Sequence, residues 1–81
     1  MESIYRALIE SIVYIATREV PDDIADDDVR ALEAINAELG TVSREELEKL
    51  IALAQTMKDS ASDPVRKQGL GELIENLTAW N

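Results

Sequence analysis

The 81-residue sequence contains no cysteine and no histidine, and it has only three glycines. Without cysteine, the chain can form neither a disulfide framework nor a thiolate metal site, and the absence fits a cytoplasmic protein. Without histidine, it lacks the usual general base, the usual metal ligand and every Ser-His or Cys-His arrangement. The glycines, at positions 40, 69 and 71, match no phosphate-binding loop. We therefore expect a protein that is not an enzyme and that uses no cofactor.

Long apolar runs are also missing. No apolar segment approaches the roughly 20 residues that a membrane-spanning helix requires. The first four residues carry none of the basic charge that opens a secretory signal. These absences predict a soluble protein. A chain of this length fits one domain, residues 1–81, and it buries only roughly 60 to 65% of its unfolded surface, so self-association would add stability.

Four segments carry apolar residues at the three- and four-residue intervals of an amphipathic helix, and no segment alternates as a strand does. The first helix is predicted over residues 3–19, where apolar side chains cover about half of the circumference. Such a wide stripe needs two neighbours, which predicts a central position for this helix. Pro21 then stops it, because proline cannot donate to the preceding turn. The predicted fold is all-α, a compact four-helix bundle of three long helices and a shorter acidic one, with oligomerisation left open.

The second helix follows the most acidic stretch of the chain, residues 22–28, which holds five aspartates. If one helix ran without a break from residue 22 to residue 39, Asp28 would lie inside its apolar arc. A buried, unpaired carboxylate there would cost several kcal/mol or stay protonated. We therefore expect a short turn near residues 21–25 and a helix from about 27 to 39, with an aspartate as its N-cap and Gly40 as its C′ residue.

Both remaining helices begin with capping sequences. Ser43 and Glu46 form a predicted capping box at the start of the third helix. Asp63-Pro64 is the predicted N-cap and first residue of the fourth. On that helix Gly69 shares the apolar face, where it would let another helix come close, whereas Gly71 faces outward.

The charge of the chain is concentrated on the second helix. The formal net charge is −9, of which residues 22–39 carry −6, while residues 1–21, 40–59 and 60–81 carry −1 each. Negative charge opposes direct binding to nucleic acid, whose affinity for proteins comes from Lys and Arg. A localised acidic surface instead steers a basic partner toward itself. The spacing of the aspartates does not match a calcium-binding EF-hand loop, so no metal site is predicted. The candidate partner-binding residues are Asp22, Asp23, Asp26, Asp27, Asp28, Glu33 and Glu38.

The first functional hypothesis is a small acidic inhibitor that masks a basic surface of a partner protein. The partner would be a nucleic-acid-binding protein or a nuclease, and the inhibitor would be of the immunity, antitoxin or anti-defence type. This hypothesis rests on two observations, the negative charge of residues 22–39 and the absence of the residue types that most catalytic sites require. A simpler interpretation is that the charge is only a solvated helix face, or an adaptation to high salt.

Two further hypotheses come from other classes. One is a homo-oligomeric structural or adaptor module whose subunit contacts include Tyr14, Leu53 and Trp80. Trp80 either anchors such an interface or closes the core, since it lies on the apolar face of the fourth helix. The other is a helical bundle that sequesters a small ligand between the first and fourth helices near Gly69.

Size, acidity and four helices are similar to those of acyl carrier proteins, whose prosthetic-group serine lies in an Asp-Ser-Leu motif that opens the second helix. The only Asp-Ser pair here is Asp59-Ser60, which Ala61 follows and which lies after the third helix. The motif that carries the function of that family is absent, so we exclude it. The chain is also similar to the small acidic helical immunity proteins of bacteriocins in size, charge and helical content, but it lacks their tyrosine-pair loop.

Overall fold

A computed structural model describes residues 2–79 as four α-helices joined by short connections. The helices are α1 (Glu2–Thr17), α2 (Asp22–Leu39), α3 (Arg44–Ser60) and α4 (Pro64–Ala79). The described chain contains no strand, so the predicted all-α four-helix bundle is confirmed. Its smallest extent is 22 Å, which corresponds to two layers of helices. None of these four helices has the length and hydropathy needed to span a membrane.

The hydrophobic core lies between α1, α3 and α4. The largest interface joins α3 to α4, and α1 packs against all three other helices, as its wide apolar stripe predicts. In contrast, α2 packs on α1 and only marginally on α3 and α4, and it contributes one buried side chain, Leu39. The buried core residues are Ile9, Ile12, Val13, Leu39, Leu47, Leu50, Ala54, Met57, Leu70, Leu73 and Leu77.

Local capping fixes the start of α3 and of α4. Ser43 has an extended backbone, and its hydroxyl accepts a hydrogen bond from the Glu46 amide at 3.2 Å, which is one of the two bonds of the predicted capping box. Asp63 Oδ1 accepts a hydrogen bond from the Val65 amide at 3.1 Å. Pro64 is the first residue of α4, where its missing amide hydrogen leaves no helical bond unmade. Both predicted helix starts are confirmed.

At Gly69, α1 and α4 approach each other closely, as predicted. A Cβ atom on Gly69 would lie 2.6 Å from Thr17 Cγ2 and 3.3 Å from Val13 Cγ1, so a larger side chain would displace its neighbours. The Thr17 hydroxyl donates to the Val13 carbonyl at 2.7 Å, which holds the threonine methyl group in place. The prediction that Gly71 faces outward is only partly right. Gly71 is half-buried, and a Cβ atom there would lie 3.7 Å from Lys58 Cε, an ordinary contact.

The second helix differs from its prediction. It runs unbroken from Asp22 and, with 18 residues, is the longest of the four, so the predicted turn near 21–25 and the shorter helix over 27–39 are wrong. Pro21 precedes it with an extended backbone (φ −59°, ψ 157°), which suits the residue before a helix. No side chain caps the helix, so the predicted aspartate N-cap is also wrong. Asp22 and Asp23 instead lie in the first turn, where each complements the positive helix end by roughly 0.3 to 1 kcal/mol.

The connections on either side of α2 are short. α1 ends at Thr17, earlier than predicted, and residues 18–21 lead into α2. Gly40 follows α2 as predicted, but its backbone is right-handed (φ −66°, ψ −13°) instead of the left-handed form that is common at this position. The Thr41 amide and hydroxyl both donate to the Glu38 carbonyl, at 3.0 and 2.7 Å. These bonds close the turn without a left-handed residue.

Candidate binding surface

Six of the seven predicted partner-binding residues lie on the solvent-exposed side of α2, opposite the residues that pack on α1. We call these six residues the acidic face: Asp22, Asp23, Asp26, Asp27, Glu33 and Glu38. Arg30 is the one basic residue on the same side of the helix. The acidic face therefore places six carboxylates beside a single guanidinium.

Most of these carboxylates have no partner within residues 2–79. Only Asp27 forms an ion pair, with Arg30 at 3.8 Å, and these two side chains are 75% and 80% exposed. A pair so exposed contributes little to stability. The side chains of the other five residues of the acidic face form no ion pair or hydrogen bond with the described chain.

The acidic residues of α3 are neutralised to a larger extent. Lys49 Nζ lies 3.6 Å from Glu45 Oε1, and Arg44 Nε lies 3.9 Å from Glu48 Oε1, each pair being spaced four residues apart. Both pairs bring a cation beside a carboxylate on the same helix, whereas α2 has one such pair for six exposed carboxylates. The negative potential of the folded chain is thus concentrated on α2.

The seventh predicted residue, Asp28, does not belong to the acidic face. It lies on the side of α2 that faces α1, and it forms a two-pronged ion pair with Arg18. Arg18 Nε lies 2.9 Å from Asp28 Oδ2, and Arg18 Nη2 lies 2.7 Å from Asp28 Oδ1. The Asp28 side chain is only 14% exposed. The expectation that a carboxylate here would be unpaired is wrong, and the ion pair explains why the helix continues through this position.

Arg18 is held in place by the end of α1. Its amide donates to the Tyr14 carbonyl at 3.1 Å, and its guanidinium lies 5.5 Å from the centroid of the Tyr14 ring, within cation–π range. The hydrogen bond from Arg18 lowers the pKa of Asp28 below its ordinary value, and the same bond raises the pKa of Arg18. Sequence reasoning missed Arg18. The available signal was a basic residue just after an apolar helix, ten positions before an aspartate that had no other partner.

The surfaces named by the oligomer hypothesis are less distinctive. Tyr14 is 62% exposed, but its ring already contacts the Arg18 guanidinium. Leu53 is half-buried in an open cleft of about 520 Å³ between α1 and α3, which Tyr5 and Lys49 also line. Trp80 lies outside the described residues. The predicted subunit contacts therefore stay a prediction.

The ligand hypothesis places a small molecule near Gly69. Because α1 and α4 are in contact there, the open volume lies beside this residue, in two clefts of about 200 and 90 Å³. Typical ligand pockets are larger, at about 300 to 1,000 Å³, and enclose most of the ligand surface. The geometry at Gly69 does not favour a small-molecule site.

The charged side chains of residues 2–79 lie at or near the surface. No group of three or more acidic residues in the range 2–79 is arranged to hold a metal ion. No polar or charged residue in the same range is buried, and no buried side-chain nitrogen or oxygen there lacks a hydrogen-bond partner. What the arrangement offers is exposed negative charge on a long helix.

No protein-family model matches the chain, and no curated protein or solved structure is significantly similar to it. Its class is therefore defined by its own geometry, which is that of a small four-helix bundle with an acidic face on its second helix.

Proposed function

We propose that this protein binds a positively charged surface of another protein through the acidic face of α2. By covering that surface it acts as a small inhibitor, of the immunity, antitoxin or anti-defence type. The observation that supports the proposal is the set of five carboxylates in the acidic face that have no ion-pair or hydrogen-bond partner within residues 2–79. Their mutual repulsion destabilises the free protein, and a complementary cationic surface would relieve it.

The position of α2 at the edge of the core also suits a helix that binds a partner. Its 18 residues form a rod of roughly 27 Å, and only Leu39 is buried. The outer side of the helix is therefore free to contact a partner without any change in the core. Association would be fast at low ionic strength and would slow steeply as salt screens the charges.

The partner that we expect is a protein whose own activity needs a basic surface, such as a nucleic-acid-binding protein or a nuclease. Phosphate contacts from Lys and Arg supply much of the affinity of such a protein for nucleic acid. Carboxylates on α2 would occupy the same cations. Inhibition would then be competitive with nucleic acid and would need no chemistry in the inhibitor.

The test begins with affinity capture from the source cell, followed by kinetics with the purified partner. In one variant all six residues of the acidic face become amides (D22N, D23N, D26N, D27N, E33Q and E38Q), and Asp28 is kept because it holds α2 on α1. We expect the association rate to fall ten-fold or more at low salt and the salt dependence to flatten. Inhibition of the partner should weaken in parallel.

A matched control removes the same amount of charge elsewhere. Six exposed acidic residues outside α2 become amides (E19Q, E45Q, E46Q, E48Q, D59N and E75Q), so both variants have the same net charge. Retention of most of the association rate in this control is expected. Equal losses in both variants would mean that net charge, and not the acidic face, governs association. No loss in either would reject the electrostatic mechanism.

A further inference from the structure

The side of α1 that points away from its buried residues is exposed and largely apolar. It carries Ile4, Ala7, Ser11 and Tyr14, whose spacing of three, four and three residues places them on one side of a helix. Ile4 is 57% exposed and Tyr14 is 62% exposed, the two highest values among the large hydrophobic residues in the range 2–79. We call these four residues the α1 face. The wide apolar stripe of α1 thus extends beyond the part that the bundle covers.

No charged side chain belongs to the α1 face, although the whole chain has a net charge of −9. The exposed sides of α2, α3 and α4, in contrast, all carry charged residues. Arg6 and Glu10 lie along one edge of the α1 face, and each is already paired: Arg6 with Glu2 at 3.1 Å, and Glu10 with Arg66 of α4. The α1 face is therefore the neutral part of an acidic surface.

The polar groups of the α1 face are already engaged within the chain. The Ser11 hydroxyl donates to the Ala7 carbonyl at 2.8 Å, so covering this side chain leaves no donor without a partner. The Tyr14 ring lies beside the Arg18 guanidinium, 5.5 Å from its centroid, and Arg18 is itself fixed by Asp28. A side chain that is held in place before association loses less freedom when it becomes buried.

The order of the four residues makes the α1 face complementary to itself. Two α1 helices can pack antiparallel about a two-fold axis midway between Ala7 and Ser11. Ile4 of one copy then lies opposite Tyr14 of the other, and Ala7 lies opposite Ser11. Large side chains meet at both ends of this contact. Small ones meet at its centre, where they allow the shorter end of the usual interaxial range of about 8 to 10 Å.

We propose that two copies of this chain associate through the α1 face, with their α1 helices antiparallel. The neutrality of the face favours this occupant, because two chains of charge −9 can meet there without burying a carboxylate. A chain of 81 residues also gains stability from self-association. A lipid surface is a poor occupant, since helices that lie on membranes are rich in Lys and Arg, whereas Arg6 is the one basic residue of α1.

This inference goes beyond the proposed function, because the α1 face and the acidic face share no residue. The acidic face lies on the side of α2 opposite α1, so it stays exposed when the α1 face is covered. A dimer would carry two acidic faces. It could bind two basic surfaces of one partner assembly with higher avidity than a monomer, where the geometry allows both contacts.

Sedimentation equilibrium of the purified chain at low and high salt tests the association. We expect a dimer with a Kd on the order of 10 to 100 μM, since a single pair of helices forms a contact smaller than a standard interface. Added salt should strengthen it by screening the repulsion between two negative chains. A monomer at every concentration up to roughly 1 mM would overturn the inference. A dimer that weakens with salt would also overturn it, because ion pairs would then form the contact.

A pair of matched variants locates the contact. A7E places a carboxylate at its centre and should weaken dimerisation by about ten-fold or more. A52E makes the same change at an exposed alanine of α3, so both variants have the same net charge, and it should alter the affinity by less than about two-fold. Both positions are exposed and glutamate favours helix, so folding is preserved, which circular dichroism checks. Equal weakening by both variants would reject the α1 face, and so would weakening by A52E alone.

The double variant A7E/S11K tests the antiparallel arrangement. Each introduced carboxylate then lies opposite an introduced ammonium of the other copy, so most of the dimerisation lost in A7E should return. In a parallel pair, like charges would lie opposite each other and the loss would deepen, which would overturn the arrangement. The six-amide variant of the acidic face should dimerise at least as well as the native chain. Failure of dimerisation would leave the proposed function standing, since partner binding through α2 is measured separately.

Discussion

The helices α2 and α3 contribute very differently to the core of this bundle. They are nearly equal in length, at 18 and 17 residues, yet α2 buries one side chain and α3 buries four. α3 begins with a side-chain cap and has Lys58 in its last turn, where a cation suits the negative helix end. α2 has neither a side-chain cap at its start nor a basic residue in its last turn. One helix is specified by the core and by its own ends, and the other is attached to a bundle that α1, α3 and α4 already form.

What attaches α2 is partly apolar and partly ionic. Leu32 and Ile35 pack half-buried against the core, Leu39 is buried at the C-terminal end, and Asp28 pairs with Arg18 toward the N-terminal end. Local stability in proteins follows buried apolar contacts, so α2 should open more easily than the rest. The helix that carries the most negative charge is therefore also the one that contributes the fewest buried side chains to the core.

The largest expected effect comes from truncating the core of the α1, α3 and α4 unit. Leu70 is 0% exposed, so L70A should lower the free energy of unfolding by about 2 to 5 kcal/mol. The matched truncation on α2, L32A, removes a half-buried side chain and should cost about 1 kcal/mol. Urea unfolding of both variants measures the difference. Equal losses would mean that α2 is as much a part of the core as α4.

The next effect concerns the contact between α1 and α4. G69A places a Cβ atom 2.6 Å from Thr17 Cγ2, so overpacking of about 1 to 3 kcal/mol should outweigh the helix propensity gained. G71A meets only Lys58 at 3.7 Å and should stabilise the chain by about 0.5 to 1 kcal/mol. Thermal unfolding should therefore show shifts of opposite sign.

A second-site change identifies the cause of that loss. T17S deletes the methyl group in conflict and keeps the hydroxyl that donates to Val13, so T17S/G69A should recover most of the stability. No recovery in the double variant would mean that the loss at Gly69 has another origin than the close approach of α1.

Much of this fold could be predicted from the sequence because its decisive signals are local. Ser43 and Asp63 fix the starts of α3 and α4 through hydrogen bonds to amides two or three residues away. The wide apolar stripe of α1 predicts that it contacts several helices, and it does. The close approach at Gly69 was also predictable, since a glycine on an inner helix face leaves space that a neighbouring helix can fill.

The wrong predictions have a common physical cause, which is contact between residues that are far apart in the sequence. The predicted start of α2 was wrong because the side chain that neutralises Asp28 belongs to Arg18, ten positions earlier. Helical periodicity in a sequence does not reveal such pairs. For the same reason the sequence did not reveal that Asp28 lies on the side of α2 that faces α1.

The smallest expected effect on global stability, confined to α2, tests the ion pair that attaches this helix. D28N removes the charge that holds Arg18, so amide hydrogen exchange in the first half of α2 should accelerate while exchange in α3 and α4 stays unchanged. The neighbouring variant D27N is the control, since the Asp27–Arg30 pair is exposed and should contribute almost nothing.

The pH dependence of the same pair gives it an independent signature. The pKa of Asp28 is lowered in the folded chain, so the ion pair stabilises α2 above the ordinary aspartate pKa of about 3.9 and loses that effect as pH falls through the lowered value. Arg18 keeps its proton over this whole range and adds no dependence of its own. The exchange difference between the native chain and D28N should therefore be constant near neutral pH and shrink below about pH 4. A difference that persists in acid would mean that Asp28 acts through packing and not through its charge, and α2 would then be attached by apolar contacts alone.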